Sequence, residues 1–513
     1  MESSSGHAAI LPQDREKEGC YVAIRQWSAT DPWYREMRRT GILTVPALTR
    51  MGLAHLRANN APAALAAFRS AVLLGKDDPN LWNYCGMALG QMDSLADAAA
   101  CLEYSLKLSP RQSDTWLLLG SLRKKQGDAA GAEAAYRAAL ELPGDSALAW
   151  QCLALLRQEQ NDYAGAIECF LACVQHGPAS AAIWANLGNL YYQTGDVGGA
   201  QNAFRQAVGL APADAGCRKM LRSADFLKDV LTGSSVEAAL DTYRASLALA
   251  DGPPEPLIQE LLGASFSLLR GFGHIPAAIA VGAKRLELWP EDPAMAYLLA
   301  AVKGEGGPDR SPPEYVARHF DEFAERFDAK LVGTLGYDVP RKLVSLLQTA
   351  LEAGRLHDAA DVGCGTGLCG PLLRPFAREL TGVDLSPKML AQAARSGLYH
   401  HLVCEEMTAF LHRCPGRFDL LMAADVLIYV GDLAAFLAAA AGALRPGGLL
   451  AFSTESATGQ GYLLGPSGRF AHAGAYIRSA AAAAFTEHAC VETVIRLEAA
   501  QGVQGNLFVF RRL

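Results

Sequence analysis

The chain has no hydrophobic run near the ~18 residues needed to cross a bilayer. Its most apolar stretches, 433–444 and 480–485, are short and rich in alanine. Residues 1–17 are polar and charged, with no apolar core of a secretion signal. Twelve cysteines are scattered without a single CxxC pair, which removes support for a zinc site. They read as reduced structural thiols of a cytoplasmic protein. The formal charge of −7 argues against a nucleic-acid surface spread over the molecule, leaving only a local basic patch open.

Half of the 513 residues are hydrophobic. That length predicts two or three domains, each with its own core. Residues 1–44 read as a polar leader (6–19) followed by a possible capping helix (21–40).

A period then sets in. Trp82, Trp116, Trp150 and Trp184 follow one another at 34 residues. Gly86, Gly120, Ala154 and Gly188 keep the same phase, as do Ala98, Ala132, Ala166 and Ala200. Leu102, Tyr136, Phe170 and Phe204 share it too, Pro110, Pro178 and Pro212 close three units, and Leu48, Gly52, Ala64 and Phe68 mark an earlier one. A small residue lets two helices approach, an aromatic fills the gap beside it, and proline ends the second helix. The pattern resembles the tetratricopeptide repeat, an all-α helix–turn–helix unit, with about five copies over 45–214. The resemblance implies a superhelix whose concave face binds an unidentified protein or peptide. The phased aromatics belong to the core. Asn186 and Asn189 lie on the first helix of a unit, but no lysine pattern completes a carboxylate clamp. Residues 215–305 read as one or two degenerate helical repeats, with Ala278 and Pro290 in phase. The best linker is 304–313.

From 306 to 513 the texture changes to alternating strands and helices, which predicts a mainly parallel sheet. Strands are expected at 379–385, 401–406, 419–425, 448–455, 491–498 and 506–511, after one that ends at Asp361. Helices are expected at 368–378, 388–394, 432–444 and 474–488. The last two strands are separated by too few residues for a crossover, so they must form an antiparallel hairpin. The sheet pivots on Asp361-Val362-Gly363-Cys364-Gly365-Thr366-Gly367, a strand end turning through glycines. Such a turn brings backbone close to a ligand, and a following helix would offer free amides and a positive dipole end. Asp384 follows Gly367 by 17 residues at the end of the next strand, where an acid accepts hydrogen bonds from ribose hydroxyls.

The GxGxG loop, the Arg445-Pro446-Gly447-Gly448 turn and the closing hairpin resemble the Rossmann-like, seven-stranded fold of the class I S-adenosylmethionine (SAM)-dependent methyltransferases. They do not match a dinucleotide-binding domain, which carries GxGxxG and would need a further substrate domain. The resemblance implies SAM as cofactor and Asp361, Gly363, Cys364, Gly365, Gly367, Asp384, Leu385, Glu406 and Met407 as its contacts. Glu405 and Glu406 can exchange the adenine role. No metal is implied. Phe320, Phe323 and Phe327 lie on an amphipathic segment of the kind that folds over bound cofactor in small-molecule members. A chain of repeats followed by this domain is similar to a bacterial group of predicted repeat-containing methyltransferases.

Loops at the carboxyl ends of parallel strands line the ligand crevice. Arg469 and Tyr476 are therefore candidate substrate contacts, joined by Phe320 of the amphipathic segment, and Asp425, His472 and Tyr429 are candidate catalytic residues. No Asn-Pro-Pro-Tyr-type motif follows the fourth strand, which favours an oxygen acceptor over the amines of bases and glutamines. The expected function is methyl transfer to an unidentified acceptor, with the repeats recruiting a protein or carrier-bound substrate. The alternative is an interaction scaffold that binds SAM without turnover.

Overall fold

In the computed structural model, residues 44–247, 254–304, 306–324, 327, 337–352, 354–498 and 501–513 are described. The expected leader and capping helix lie outside them, as do Glu325, Arg326 and Asp328 of the aromatic segment. The chain divides into two compact units, 1–233 with 242–251, and 234–241 with 252–513. No helix among the described residues is long and apolar enough to cross a membrane.

The first unit is built of paired helices. α1 (Val45–Arg57) packs on α2 (Ala61–Leu74), α3 (Pro79–Gln91) on α4 (Leu95–Leu108), and α5 (Ser113–Lys125) on α6 (Ala129–Leu140). α7 (Ser146–Glu159) pairs with α8 (Tyr163–His176), and α9 (Ala181–Thr194) with α10 (Val197–Leu210), against which α11 (Ala215–Leu231) stacks. The small residues act as the sequence requires. A Cβ at Gly120 would fall 2.4 Å from the Tyr136 ring, and one at Gly188 would fall 2.6 Å from Phe204. Two further features keep the 34-residue phase. Asn59, Asp93, Gly127, Asn161 and Gly195 all take the left-handed conformation between the paired helices. Asn60, Ser94, Asp128, Asp162 and Asp196 then occupy the N-cap of the second helix. The Asp196 carboxylate, for instance, accepts the Gly199 amide at 2.8 Å. Each turn thus reverses the chain with a residue that tolerates positive φ, and in four of the five the N-cap side chain accepts an amide of the next helix, Ser94 being the exception.

α12 (Val236–Ser246) carries the boundary between the units. α13 (Pro254–Gly271), α14 (Ile275–Leu288) and α15 (Pro293–Lys303) belong to the second unit. They reuse the small-against-aromatic device, since a Cβ at Gly282 would meet Phe266 at 2.9 Å. Tyr297 of α15 is wholly buried, and its hydroxyl donates to the Gly468 carbonyl at 2.7 Å. Ser311 donates to the Tyr297 hydroxyl at 2.8 Å. The expected linker is docked here: the Ser311 amide donates to the Tyr429 carbonyl at 2.9 Å, and the Gly431 amide to the Asp309 carbonyl at 2.7 Å.

α16 (Pro313–Phe323) and α17 (Val339–Gln348) precede the sheet. Its parallel strands are β1 (His357–Val362), β2 (Ala377–Asp384), β3 (His401–Cys404), β4 (Phe418–Ala423) and β5 (Leu444–Ser456), in the order β3-β2-β1-β4-β5. β8 (Phe485–Glu498) and β9 (Gln501–Arg512) form the expected antiparallel hairpin, with β9 against β5. Both faces are buried: Leu450, Phe452, Phe508 and Phe510 join one core, while Leu449, Ala451, Leu507 and Val509 join the other. That double burial gives these strands near-continuous apolar runs.

The structure adds two strands to the expected seven. β6 (Tyr462–Leu464) and β7 (Phe470–His472) make a hairpin at the end of β5. The helix expected after the glycine loop is only α18 (Gly370–Leu373) and a 3-10 turn, Arg374–Phe376, because Pro375 interrupts it. The remaining helices of the sheet unit are α19 (Pro387–Arg395), α20 (Met407–His412), α21 (Ala434–Ala443) and α22 (Gly474–Ala481). α22 ends well before residue 488, since Phe485 is already paired with Arg512 across the hairpin. Ladder pairing overrides the helical preference of the alanine run.

Replacing Gly188 by Val is expected to destabilise the repeat unit by about 1–3 kcal/mol through overpacking against Phe204. Denaturant unfolding followed by Trp fluorescence reads this as a lowered midpoint; an unchanged midpoint contradicts the packing described.

Candidate functional site

β1 ends in a loop that must turn sharply back to β2. Gly363, Gly365 and Gly367 all have positive φ, at 77°, 54° and 94°. A Cβ on Gly363 would meet Val426 at 2.5 Å, whereas one on Gly365 would meet only Phe327 at 4.0 Å. Gly363 is thus fixed by packing, and Gly365 presents bare backbone to open space. The Gly363 and Cys364 amides both donate to the Val383 carbonyl, at 2.8 and 3.0 Å. Asp384, at the tip of β2, closes the arrangement. Its Oδ2 accepts the Gly365 amide at 2.9 Å and its Oδ1 the Ser386 amide at 2.8 Å. The Leu385 amide bears on the carboxylate as well, which still has acceptor capacity to spare and lines a cavity. Burial raises the Asp384 pKa, and the backbone donors pull it back.

Asp361 lies behind the loop, fully buried, with its Oδ2 accepting the Tyr399 hydroxyl at 2.7 Å. Burial pushes its pKa up to about 7, and the Tyr399 hydrogen bond opposes this. Gly367 packs against Tyr399 and Ala393. These two residues shape the cradle from behind and do not line the cavity, whereas Gly363, Cys364, Gly365, Asp384, Leu385, Glu406 and Met407 do line it. Glu405 lines it as well, and both glutamates are engaged. Glu406 caps α20 through the Ala409 amide at 2.9 Å and pairs with Arg310 at 2.6 Å. Glu405 pairs with Arg413 at 2.7 Å.

α16 covers the opening. Asp321 Oδ1 accepts the Ser386 hydroxyl at 2.5 Å and the Lys388 amide at 3.3 Å, which latches the helix beside Asp384. Phe320 stands edge-on to Tyr429 at 5.6 Å and to Phe327 at 5.9 Å, and His319 lies 5.0 Å from Phe323. All five side chains line the cavity.

Beyond β4 the chain bends at Asp425, whose φ of 57° is strained for a non-glycine residue. Its amide donates to Ser453 Oγ at 2.7 Å, and its Oδ1 accepts from Arg496 at 3.3 Å. Arg496 is 4% exposed and also pairs with Glu455. Burial lifts the Tyr429 phenol to about 12, and Arg469 pulls it down. Asp425, Tyr429, Arg469 and Phe320 line one cavity with the glycine loop.

His472 and Tyr476 are placed elsewhere. His472 is wholly buried in β7, and its Nε2 donates to the Val430 and Gly431 carbonyls at 2.8 and 3.1 Å. Burial lowers its pKa, so the ring stays neutral. Tyr476 stacks on it at 6.2 Å, accepts the Leu433 amide at 2.8 Å and donates to Asp432 at 2.8 Å. Pairing of β7 with β6 turns this histidine inward, so both residues brace the wall of the cavity from outside. Residues that sequence reasoning left aside hold the site together: Tyr399, Asp321, Ser386, Arg310 and Arg496. Their partners are far away in sequence, so no short-range spacing marks them.

The raised Asp361 pKa has a definite sign. The acid is protonated more readily folded than unfolded, so its contribution to stability is present at low pH and lost as pH rises from about 4 through about 7. The thermal midpoint of Asp361→Asn is expected to fall less than that of the wild type between these limits. Parallel pH profiles would contradict the assignment.

A methyltransferase-domain family model matches residues 360–452, and a tetratricopeptide-repeat model matches 85–147 and 153–215. The chain is 37% identical over 111 residues to a ubiquinone biosynthesis O-methyltransferase of Thiobacillus denitrificans, covering 20% of this chain and 47% of that protein. It is 37% identical over 141 residues to human methyltransferase-like protein 27, covering 27% and 56%. The chain therefore spans about half the length of the curated relatives it matches. Among solved structures, the N-methyltransferase NodS of Bradyrhizobium japonicum aligns over 34% of this chain and 86% of its own, at 23% identity and a TM-score of 0.28. The chain joins tetratricopeptide repeats to a domain of the SAM-dependent methyltransferases.

Proposed function

We propose that this chain transfers the methyl group of SAM to an oxygen acceptor, and that the repeats recruit a protein or carrier-bound substrate. The observation that carries the reading is Asp384, held by backbone amides at the edge of the cavity with acceptor capacity to spare. Such an acceptor suits two ribose hydroxyls. The exposed backbone at Gly365 suits the close approach of the rest of the cofactor, Leu385 and Met407 suit an adenine face, and Glu405 or Glu406 suits its amino group.

SAM supplies an already activated methyl on a sulfonium, so positioning and exclusion of water account for most of the acceleration. The methyl carbon passes to an acceptor oxygen while the electrons of the broken C–S bond stay on sulfur. Phe320, Phe323 and Phe327 exclude water over the cavity. Arg496 pairs with Asp425, and the carboxylate is placed to orient the acceptor or take a hydroxyl proton. A carboxylate acceptor needs no base. The Tyr429 hydroxyl, protonated at neutral pH, orients the acceptor. His472 braces the 430–431 turn.

Calorimetry with S-adenosylhomocysteine is expected to show binding to the wild type. Asp384→Ala should weaken it by about tenfold to a hundredfold or more, as expected for lost hydrogen bonds to a charged group at about 1.5–3 kcal/mol each. A wild type that does not bind, or a variant that binds equally well, contradicts the reading. Labelled SAM incubated with cell lysate tests recruitment. Transfer to a protein or carrier is expected with the full chain and lost without residues 1–233. Equal transfer without the repeats contradicts recruitment, and binding without any transfer supports a scaffold.

A further inference from the structure

Residues 309–311 lie between α15 and α16 and are held from several sides. The Asp309 carbonyl accepts the Gly431 and Asp432 amides at 2.7 and 3.1 Å, and the Ser311 amide donates to the Tyr429 carbonyl at 2.9 Å. Between them Arg310 forms an antiparallel bridge with Val430. Side chains complete the mount. Asp309 Oδ1 accepts the Tyr462 hydroxyl at 2.6 Å, and the Ser311 hydroxyl donates to Tyr297 of α15 at 2.8 Å. The backbone of Arg310 is thus fixed, and its side chain lines the cavity, where Nη2 donates to Glu406 Oε1 at 2.6 Å. The Arg310 side chain is 47% exposed. An ion pair so open to solvent contributes little to stability, so stability does not account for a mount of this kind.

Glu405 and Glu406 both line the cavity, but they are held differently. Glu405 is taken by Arg413, whose Nε donates to both carboxylate oxygens at 3.1 and 2.8 Å. Arg413 does not line the cavity and stands over the Phe410 ring at 5.1 Å. Glu406 divides its oxygens. Oε2 accepts the Ala409 amide at 2.9 Å, and Oε1 takes Arg310. One donor on each oxygen among the described residues leaves capacity to spare, since a carboxylate offers about four acceptor sites. The helix cap fixes one oxygen and Arg310 the other, so the plane of the group is set. A carboxylate held this way accepts from a donor on the edge of a ring and repels an acceptor there.

We propose that Arg310 is a specificity-determining residue for the cofactor, a positioning residue that sets the Glu406 carboxylate to accept from the exocyclic amino group of adenine. This rests on the methyltransferase reading and adds no chemical step to it. It gives the amino group to Glu406 and not to Glu405. It also places cofactor selection partly outside the sheet, because Tyr297 ties the 309–311 segment to α15 and, through the Gly468 carbonyl, to the β6–β7 turn.

The test measures, by calorimetry on the full chain, affinity for S-adenosylhomocysteine and for S-inosylhomocysteine, in which a carbonyl oxygen replaces the amino group. The wild type is expected to prefer the adenosyl ligand about tenfold or more, as for a hydrogen bond to a charged group. Glu406→Gln and Arg310→Met should each bring the preference below about threefold, with S-inosylhomocysteine affinity unchanged within about twofold. Arg310→Lys, which keeps the charge, should retain more of the preference than Arg310→Met, and Arg413→Met should leave it whole. A merely structural role for Arg310 would weaken both ligands alike. The proposal is overturned by a wild type without preference, by a preference that survives Arg310→Met or Glu406→Gln, by equal weakening of both ligands, or by a lysine variant no better than the methionine one. Loss of the preference in Arg413→Met gives the amino group to Glu405 and overturns it too. If Arg310→Met does not fold, Arg310→Gln takes its place. A wild type that fails to bind S-adenosylhomocysteine defeats the methyltransferase reading, whereas binding it without this pattern defeats only the role of Arg310.

Discussion

The Asp384 carboxylate holds the site in place. One oxygen takes the Gly365 amide and the other the Ser386 amide. Ser386 in turn donates to Asp321 and so fixes α16. A single side chain therefore links the loop after β1, the start of α19 and the helix that covers the cavity. Its cost is the burial of a carboxylate, which the backbone donors offset in part. The same residue faces the cavity, so the group that organises the site is also the group best suited to bind there.

A second linkage operates around the 429–431 turn. The 309–311 segment is bridged to 429–431, and Tyr297 ties α15 to the β6–β7 turn. The helices before the sheet are therefore part of its wall. Arg310, Arg469 and Arg496 reach one cavity from segments nearly two hundred residues apart. The buried Arg496 keeps the strained Asp425 turn in place, a local cost of about 1–3 kcal/mol that the ion pairs and the Ser453 hydrogen bond compensate.

Where physics acts locally, the sequence reveals it. Trp82 through Trp184 mark the repeats because each helix pair repeats one packing problem, and the glycine loop is legible because glycine takes three positive-φ turns in close succession at the least steric cost. The left-handed turn residues Asn59 to Gly195 and the caps Asn60 to Asp196 were equally local. They are harder to read because four residue types (Gly, Asn, Asp and Ser) share the two roles and blur the periodic signal. Tertiary constraints stayed hidden. The 482–488 stretch reads as helix by composition and is drawn towards strand by β9. His472 reads as an exposed loop residue until β6 and β7 pair. Arg310 lies in a stretch that reads as a linker, and nothing nearby in sequence announces that it meets Glu406.

The central claim is that cofactor occupies the cradle formed by Gly363–Gly365, Asp384 and the helix latched over them. Hydrogen–deuterium exchange of the full chain with and without S-adenosylhomocysteine tests it directly. The account predicts increased protection at 361–367, 384–388 and 313–323, with the repeat helices at 45–210 unchanged. Protection absent from these three segments, or confined to the repeats, would contradict it.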